Sequence, residues 1–194
     1  VRLSFVFFVV LNGCACGGVT SFASSLFSGE DEGWTIAGNS DVTRPRFEAM
    51  GGNPGGNICV VDAFPSDIFY FVAPPKYLGN VSQTFGTLLT FDLKTSSRFN
   101  LIRGRDVVLN GGGLALTQNF REAPSQDWTP FSFRLDANNS GWLADNGNSR
   151  GEPATEEQLR TVLRNLTALR IRGEFVDGPQ DTTCLDNVYF GSTP

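Results

Sequence analysis

Apolar and polar positions alternate most clearly between residues 68 and 93. Residues 68–73 are rich in β-branched and aromatic side chains, which predicts a strand. It stops at Pro74 and Pro75, which lack the N–H a sheet ladder needs. After a polar connector, residues 84–93 alternate. Phe85, Thr87, Leu89 and Phe91 point one way, and Gly86, Leu88, Thr90 and Asp92 the other. Both faces carry apolar residues, so this strand is expected mid-sheet in a two-layer sandwich. Further strands are predicted at 58–64, 105–110, 114–116, 129–135, 169–175 and 185–190. Glycine-dense turns at 51–56 and 111–113 separate some of them, and an Asn/Gly/Asp-rich loop covers 137–150. One short helix is expected. Thr155 to Gln158 fits a capping box, and Leu159, Val162, Leu163 and Leu166 form the apolar stripe.

Composition agrees with this pattern. The 194 residues suit one domain with short appendages. Glycine (22) and phenylalanine (17) are abundant, as expected of an all-β chain with many turns. The net charge of −5, with no basic cluster, argues against nucleic acid or an anionic membrane as partner. Residues 1–23 differ from the rest: Arg2, an apolar run over 3–11, then small residues ending in Ser21-Phe22-Ala23. This predicts a secretion signal over 1–23 and a domain over 24–194. The run is shorter than the ~20 residues of a transmembrane helix. The competing readings are a lipoprotein signal ending at Cys14 and a buried first strand.

Four cysteines are present. Cys14 and Cys16 would leave with the signal. Cys59 and Cys184 remain and, in an exported protein, are expected to pair; two buried thiols are the alternative. Sequons begin at Asn80, Asn138 and Asn165 and predict glycosylation where the source performs it.

The segment from Ala73 to Asn80, followed by residues 84–93, resembles the laminin IV type A (laminin B) domain. The likeness continues in order through the acidic-Gly-Trp opening at 30–34, then 51–56, 106–116, 154–175 and 185–188. It covers residues 27–190, in a compact form similar to the free-standing secreted members of the family. The resemblance implies a jelly-roll β-sandwich like that of carbohydrate-binding modules. It also implies a non-catalytic extracellular binding or adhesion module whose partner is a glycan, a matrix protein or a second copy. A structural calcium between the opening turn and the last strand is implied as well, with Asp31, Glu32 and Asp186 as ligands and Asn53 as a weaker fourth. Relatives carry an acidic residue directly after the opening Phe, where this chain has Ser28.

The chain has no histidine, which excludes Ser-His-Asp and Cys-His catalysis. Glu30, Asp31, Asp62, Asp92, Asp106 and Glu174 leave a glycosidase-like carboxylate pair formally open, although most such groups are solvated or cap turns. For sugar stacking the candidates are Tyr70, Trp128 and Trp142, against the general tendency of aromatics in a sandwich to be core. The expected function is that of a non-catalytic extracellular binding or adhesion module, with carbohydrate binding as one form of it. The alternatives are a structural protein that self-assembles or binds matrix, and, third, a polysaccharide-active enzyme.

Overall fold

The computed structural model describes residues 20–38, 40–62, 68–138, 140–145, 151–178 and 181–193. The elements in chain order are β1 (Ala23–Ser25), β2 (Thr35–Gly38), β3 (Arg46–Gly52), β4 (Gly55–Val61), β5 (Phe69–Val72), β6 (Leu88–Thr95), β7 (Val107–Gly111) and β8 (Leu114–Gln118). They continue with β9 (Thr129–Arg134), β10 (Leu143–Ala144), β11 (Glu152–Pro153), α1 (Glu156–Arg164), β12 (Leu166–Arg172) and β13 (Thr182–Ser192). One sheet runs β3-β4-β13-β6-β9, with β1 also on β13; the other runs β11-β10-β8-β7-β12-β5-β2. The architecture is a jelly-roll-like β-sandwich with one short α-helix among the described residues.

The alternation of β6 explains its place. Leu89, Phe91 and Leu93 are buried in the core shared by the sheets, together with Phe69, Phe71, Leu109, Leu169, Ile171 and Phe190. Thr90, Asp92 and Lys94 point outward and are half-buried. The strand pairs on both sides, with β13 and with β9, as its two-sided apolar pattern requires. It begins at Leu88 rather than at 84, because Ser82–Thr84 closes a 3-10 turn whose Thr84 hydroxyl donates to the Val81 carbonyl. β5 and β6 do not pair. They lie in opposite sheets, joined over the end of the sandwich by the turns Pro75–Tyr77 and Ser82–Thr84.

The helix begins as the capping box requires. The Thr155 hydroxyl accepts from the Gln158 N–H at 3.2 Å, and the Thr155 N–H donates to the Gln158 side chain at 2.9 Å. Its buried face, Leu159, Val162 and Leu163, joins the core. Cys59 and Cys184 stand directly opposite each other on β4 and β13 and form a disulfide. The closed loop spans 125 positions, and constraining it in the unfolded chain is worth about 5 kcal/mol in the chain-entropy account.

Most of the expected leader, with Cys14 and Cys16, lies outside the described residues. At its far end, the Phe22 N–H donates to the Phe190 carbonyl and Ala23 pairs with Phe190 in β1. Among the described residues no helix is long and apolar enough to cross a membrane.

Candidate functional site

The first sheet's outer face is built by register. Thr90 and Asp92 on β6 stand between Ser132 and Pro130 on β9 and Tyr189 and Asp186 on β13. β13 slips register between Asp186 and Tyr189, where Asn187 takes φ 51°, a left-handed conformation that asparagine tolerates. The extra residue lets both Asp186 and Tyr189 serve the outer face while Val188 and Phe190 stay buried.

The tip of the β3–β4 hairpin folds over this face. A side chain at Gly52 would sit 2.3 Å from the Gly56 carbonyl and 2.7 Å from the Asp186 carboxylate, so the close approach requires glycine. Asp186, fully buried, accepts N–H bonds from Asn53 at 2.6 Å and from Asn187 at 2.7 Å. Burial raises its pKa, the two N–H groups lower it, and neighbouring Asp92 raises it again, leaving it above the usual range. Asp92 in turn accepts from the side-chain amides of Asn187 at 2.8 Å and Asn53 at 3.1 Å.

The result is a shallow groove of about 580 Å³ whose lining includes Pro54, Thr90, Asp92, Asn187 and Tyr189. Trp128 stands near the hairpin and is half-buried. Its indole N–H donates to the Gly51 carbonyl at 3.1 Å, and Lys94 Nζ lies 4.4 Å from the ring centre. A second groove, of about 1050 Å³, opens between β9 and the β8–β10 end of the other sheet. Phe120, Phe131, Arg98, Arg121 and Arg134 are among the residues that line it, and the Phe120 and Phe131 rings stack at 4.1 Å.

The three aromatics singled out for sugar stacking do not converge. Trp128 flanks the sheet-face groove. Tyr70 is half-buried on β5, in the other sheet, opposite Arg172. Trp142 is core, a correction to the expected ligand role: it is 2% exposed, and its indole N–H donates to the Arg134 carbonyl at 2.8 Å. The polar loop around it conceals a short return to the sheet at β10, which carries the indole inward. Simple alternation from Asp186 puts Tyr189 on the opposite face, and only the bulge brings it to the groove.

The expected calcium ligands are also divided. Asp31 pairs with Arg44 and accepts from the Gly33 N–H at 3.0 Å. Glu32 accepts from the Phe27 N–H at 2.7 Å and from Lys76 Nζ at 2.5 Å, and the same ammonium donates to the Ser24 carbonyl at 2.6 Å. A lysine thus supplies the positive charge beside Glu32. Asn53 and Asp186 are held together elsewhere, by the hairpin. The four do not form one ligand set.

Two of the carboxylates considered for a glycosidase pair, Asp62 and Glu174, do come together, with Asp181. They are at most 3% exposed inside the sandwich and do not line either groove. A further pair, Asp106 and Arg172, is buried at 2.6 Å. The three sequon asparagines, Asn80, Asn138 and Asn165, are exposed.

Two antiparallel sheets, a polar groove on a sheet face and a helix packed against β7 and β8 define a β-sandwich module of the kind found in laminin IV domains and carbohydrate-binding modules. The laminin B (domain IV) family matches residues 70–193, and the chain belongs to that family. It is 34% identical to laminin subunit gamma-2 of Equus caballus over 128 residues, covering 63% of this chain and 10% of the relative. It is 30% identical to laminin subunit gamma-1 of Danio rerio over 173 residues, covering 85% of this chain and 10% of the relative. The chain thus spans about a tenth of the length of these curated relatives. Among solved structures it is similar to the L4b domain of human laminin alpha-2, with TM-score 0.64, 12% identity and coverage of 89% and 97% of the two chains. It is also similar to the family 11 carbohydrate-binding module of a Clostridium thermocellum cellulase, with TM-score 0.54, 12% identity and coverage of 88% and 95%.

Proposed function

We propose that the chain is a non-catalytic extracellular binding module that takes a glycan on the outer face of its first sheet. One observation carries the reading. Tyr189 lies in a groove beside Asp92 and Asn187, under a hairpin that brings Asn53 and Pro54 to the rim and Trp128 to the flank. A ring offers an apolar surface to the CH face of a pyranose, while carboxylate and amide groups bond hydroxyls, and a few such groups suffice for a specific pocket. The fold is shared with a module named for carbohydrate binding, which supports the reading without supplying the ligand. The Cys59–Cys184 disulfide and membership of a laminin family support an extracellular address.

A glycan array probed with the full chain tests this. Saturable binding to one glycan class is expected, with Tyr189→Ala and Trp128→Ala each weakening it at least ~10-fold while circular dichroism stays unchanged, as loss of a stacking contact worth ~1.4 kcal/mol or more requires. A blank array, or variants that bind like the parent chain, sinks the glycan reading. The second reading, assembly with matrix protein or with itself, draws on the exposed edge strand β3, where Met50 is 83% exposed. It predicts concentration-dependent association in analytical ultracentrifugation that soluble glycans leave unaltered.

A further inference from the structure

We propose that Asp62, Glu174 and Asp181 form an internal binding site for a divalent cation of the calcium type. The three come from distant parts of the chain. Asp62 follows β4, Asp181 precedes β13, and the Asp62 N–H donates to the Asp181 carbonyl at 2.8 Å, extending the β4–β13 ladder by one bond. Glu174 follows β12 in the other sheet, so the site bridges the two sheets. One carboxylate oxygen from each residue lies within 4.8 Å of the other two.

Carboxylates gathered this closely repel one another unless a proton or a cation stands between them. On Glu174 and Asp181, donors meet one oxygen each. Glu174 accepts from the Val176 N–H at 3.1 Å, and Asp181 accepts from the Thr95 hydroxyl at 3.1 Å. The other oxygen of each, Oε2 of Glu174 and Oδ1 of Asp181, is buried with no hydrogen-bond partner among the described residues.

A separate observation points to the same place. Thr183 is 1% exposed, and its hydroxyl oxygen is also without a partner among the described residues. Thr183 is two positions along from Asp181, and it lies directly opposite Thr95, the residue that reaches Asp181. Strand alternation therefore puts the Thr183 side chain on the inner face, the face that carries Asp181. Unsatisfied buried oxygens of this number call for an explanation.

The donors are all hard oxygens, carboxylate and hydroxyl, with no sulfur or imidazole. That chemistry suits calcium or magnesium rather than zinc or copper. Calcium's larger and more flexible shell fits a site assembled from three separate segments better than the strict octahedron of magnesium. The site is distinct from the Asp31, Glu32, Asn53 and Asp186 set, and it would cross-link the two sheets where β4 ends and β13 begins.

The test is thermal unfolding of the full chain in calcium chloride and in EDTA. At a hundredfold excess over Kd, calcium should raise Tm by roughly 5–10 °C for a protein of this size. Glu174→Gln and Asp181→Asn should fold in EDTA and lose that rise, whereas Glu32→Gln should keep it. An unchanged parent Tm overturns the proposal. So does a rise that survives both cluster substitutions, or one that disappears in Glu32→Gln. Should the cluster variants fail to fold, equilibrium dialysis of the parent chain against radioactive calcium decides: about one ion per chain is expected, and none overturns the site.

Discussion

Asp181, one position before β13, and Asp186, on it, are both buried five positions apart, and the two faces of the sheet treat them differently. Asp186 faces outward beneath the β3–β4 hairpin, and backbone N–H groups from Asn53 and Asn187 meet both its oxygens. Asp181 faces inward and meets Thr95 on one oxygen and other carboxyl groups around it. Burial raises the pKa of both. At the inner cluster the neighbours add to burial: Glu174 is pushed up to about 8 by desolvation first and then by Asp181 and Asp62. Equal burial therefore has unequal consequences. Fixed amide dipoles can replace the water lost by a carboxylate, whereas a second and third carboxylate cannot. The outer aspartate is a structural clasp, and the inner one belongs to the cluster proposed above to hold a cation.

Cys184 lies between Asp181 and Asp186 along the chain, so removal of the disulfide perturbs both and should have the largest effect. Replacing Cys59 and Cys184 together by alanine is expected to cost about 3–5 kcal/mol in urea unfolding. A loss below about 1 kcal/mol would mean that the unfolded chain is already constrained in another way.

Asp186→Ala acts on the outer face alone. It strands the N–H groups of Asn53 and Asn187 and should cost about 2–3 kcal/mol. The same variant should keep any calcium-dependent stabilisation, and loss of that response would erase the distinction between the two faces.

The smallest effect belongs to Glu32, a partly exposed carboxylate neutralised by an ammonium. Burial raises its pKa, but the Lys76 ammonium and the Phe27 N–H outweigh that and hold it below its ordinary value of 4.5. Its contribution is therefore present above pH 4.5 and is lost as the pH falls through the lowered value. Glu32→Gln should cost less than about 1 kcal/mol at pH 7. Its Tm should also drop less than the parent's between pH 7 and pH 3; an equal drop would show that the Lys76 pair contributes nothing.

Several features were legible in the chain because they depend on a few neighbouring residues. The capping box at Thr155 and Gln158 is one, and the glycine-dense turn at 51–56 is another. The buried face of β6 follows from period-two alternation at Leu89, Phe91 and Leu93. The pairing of Cys59 with Cys184, 125 positions apart, was legible for a different reason, as the expectation for two cysteines of an exported domain. The candidate site was much less legible. The bulge at Asn187 reverses the parity of the last strand, so alternation misplaces Tyr189. Trp142 sits in a polar stretch that resembles an exposed loop, yet the short strand β10 turns it into the core. The opening turn offered Asp31 and Glu32 as metal ligands, but Arg44 and Lys76, 13 and 44 positions away, occupy them.

By itself, then, the sequence determined a two-layer β-sandwich with one capped helix, the membership of a laminin-like family and the absence of histidine chemistry. Tertiary structure alone decided which carboxylates meet amides, which meet cations and which meet one another. The physical reason is range. Strand periodicity, turn residues and helix caps act within a few positions, where the order of residues is the geometry. The meeting of Asp62, Glu174 and Asp181 depends on strand pairing across more than a hundred residues and on the return of the chain between two sheets. No local pattern encodes that encounter, because it exists only once both sheets have closed on the core.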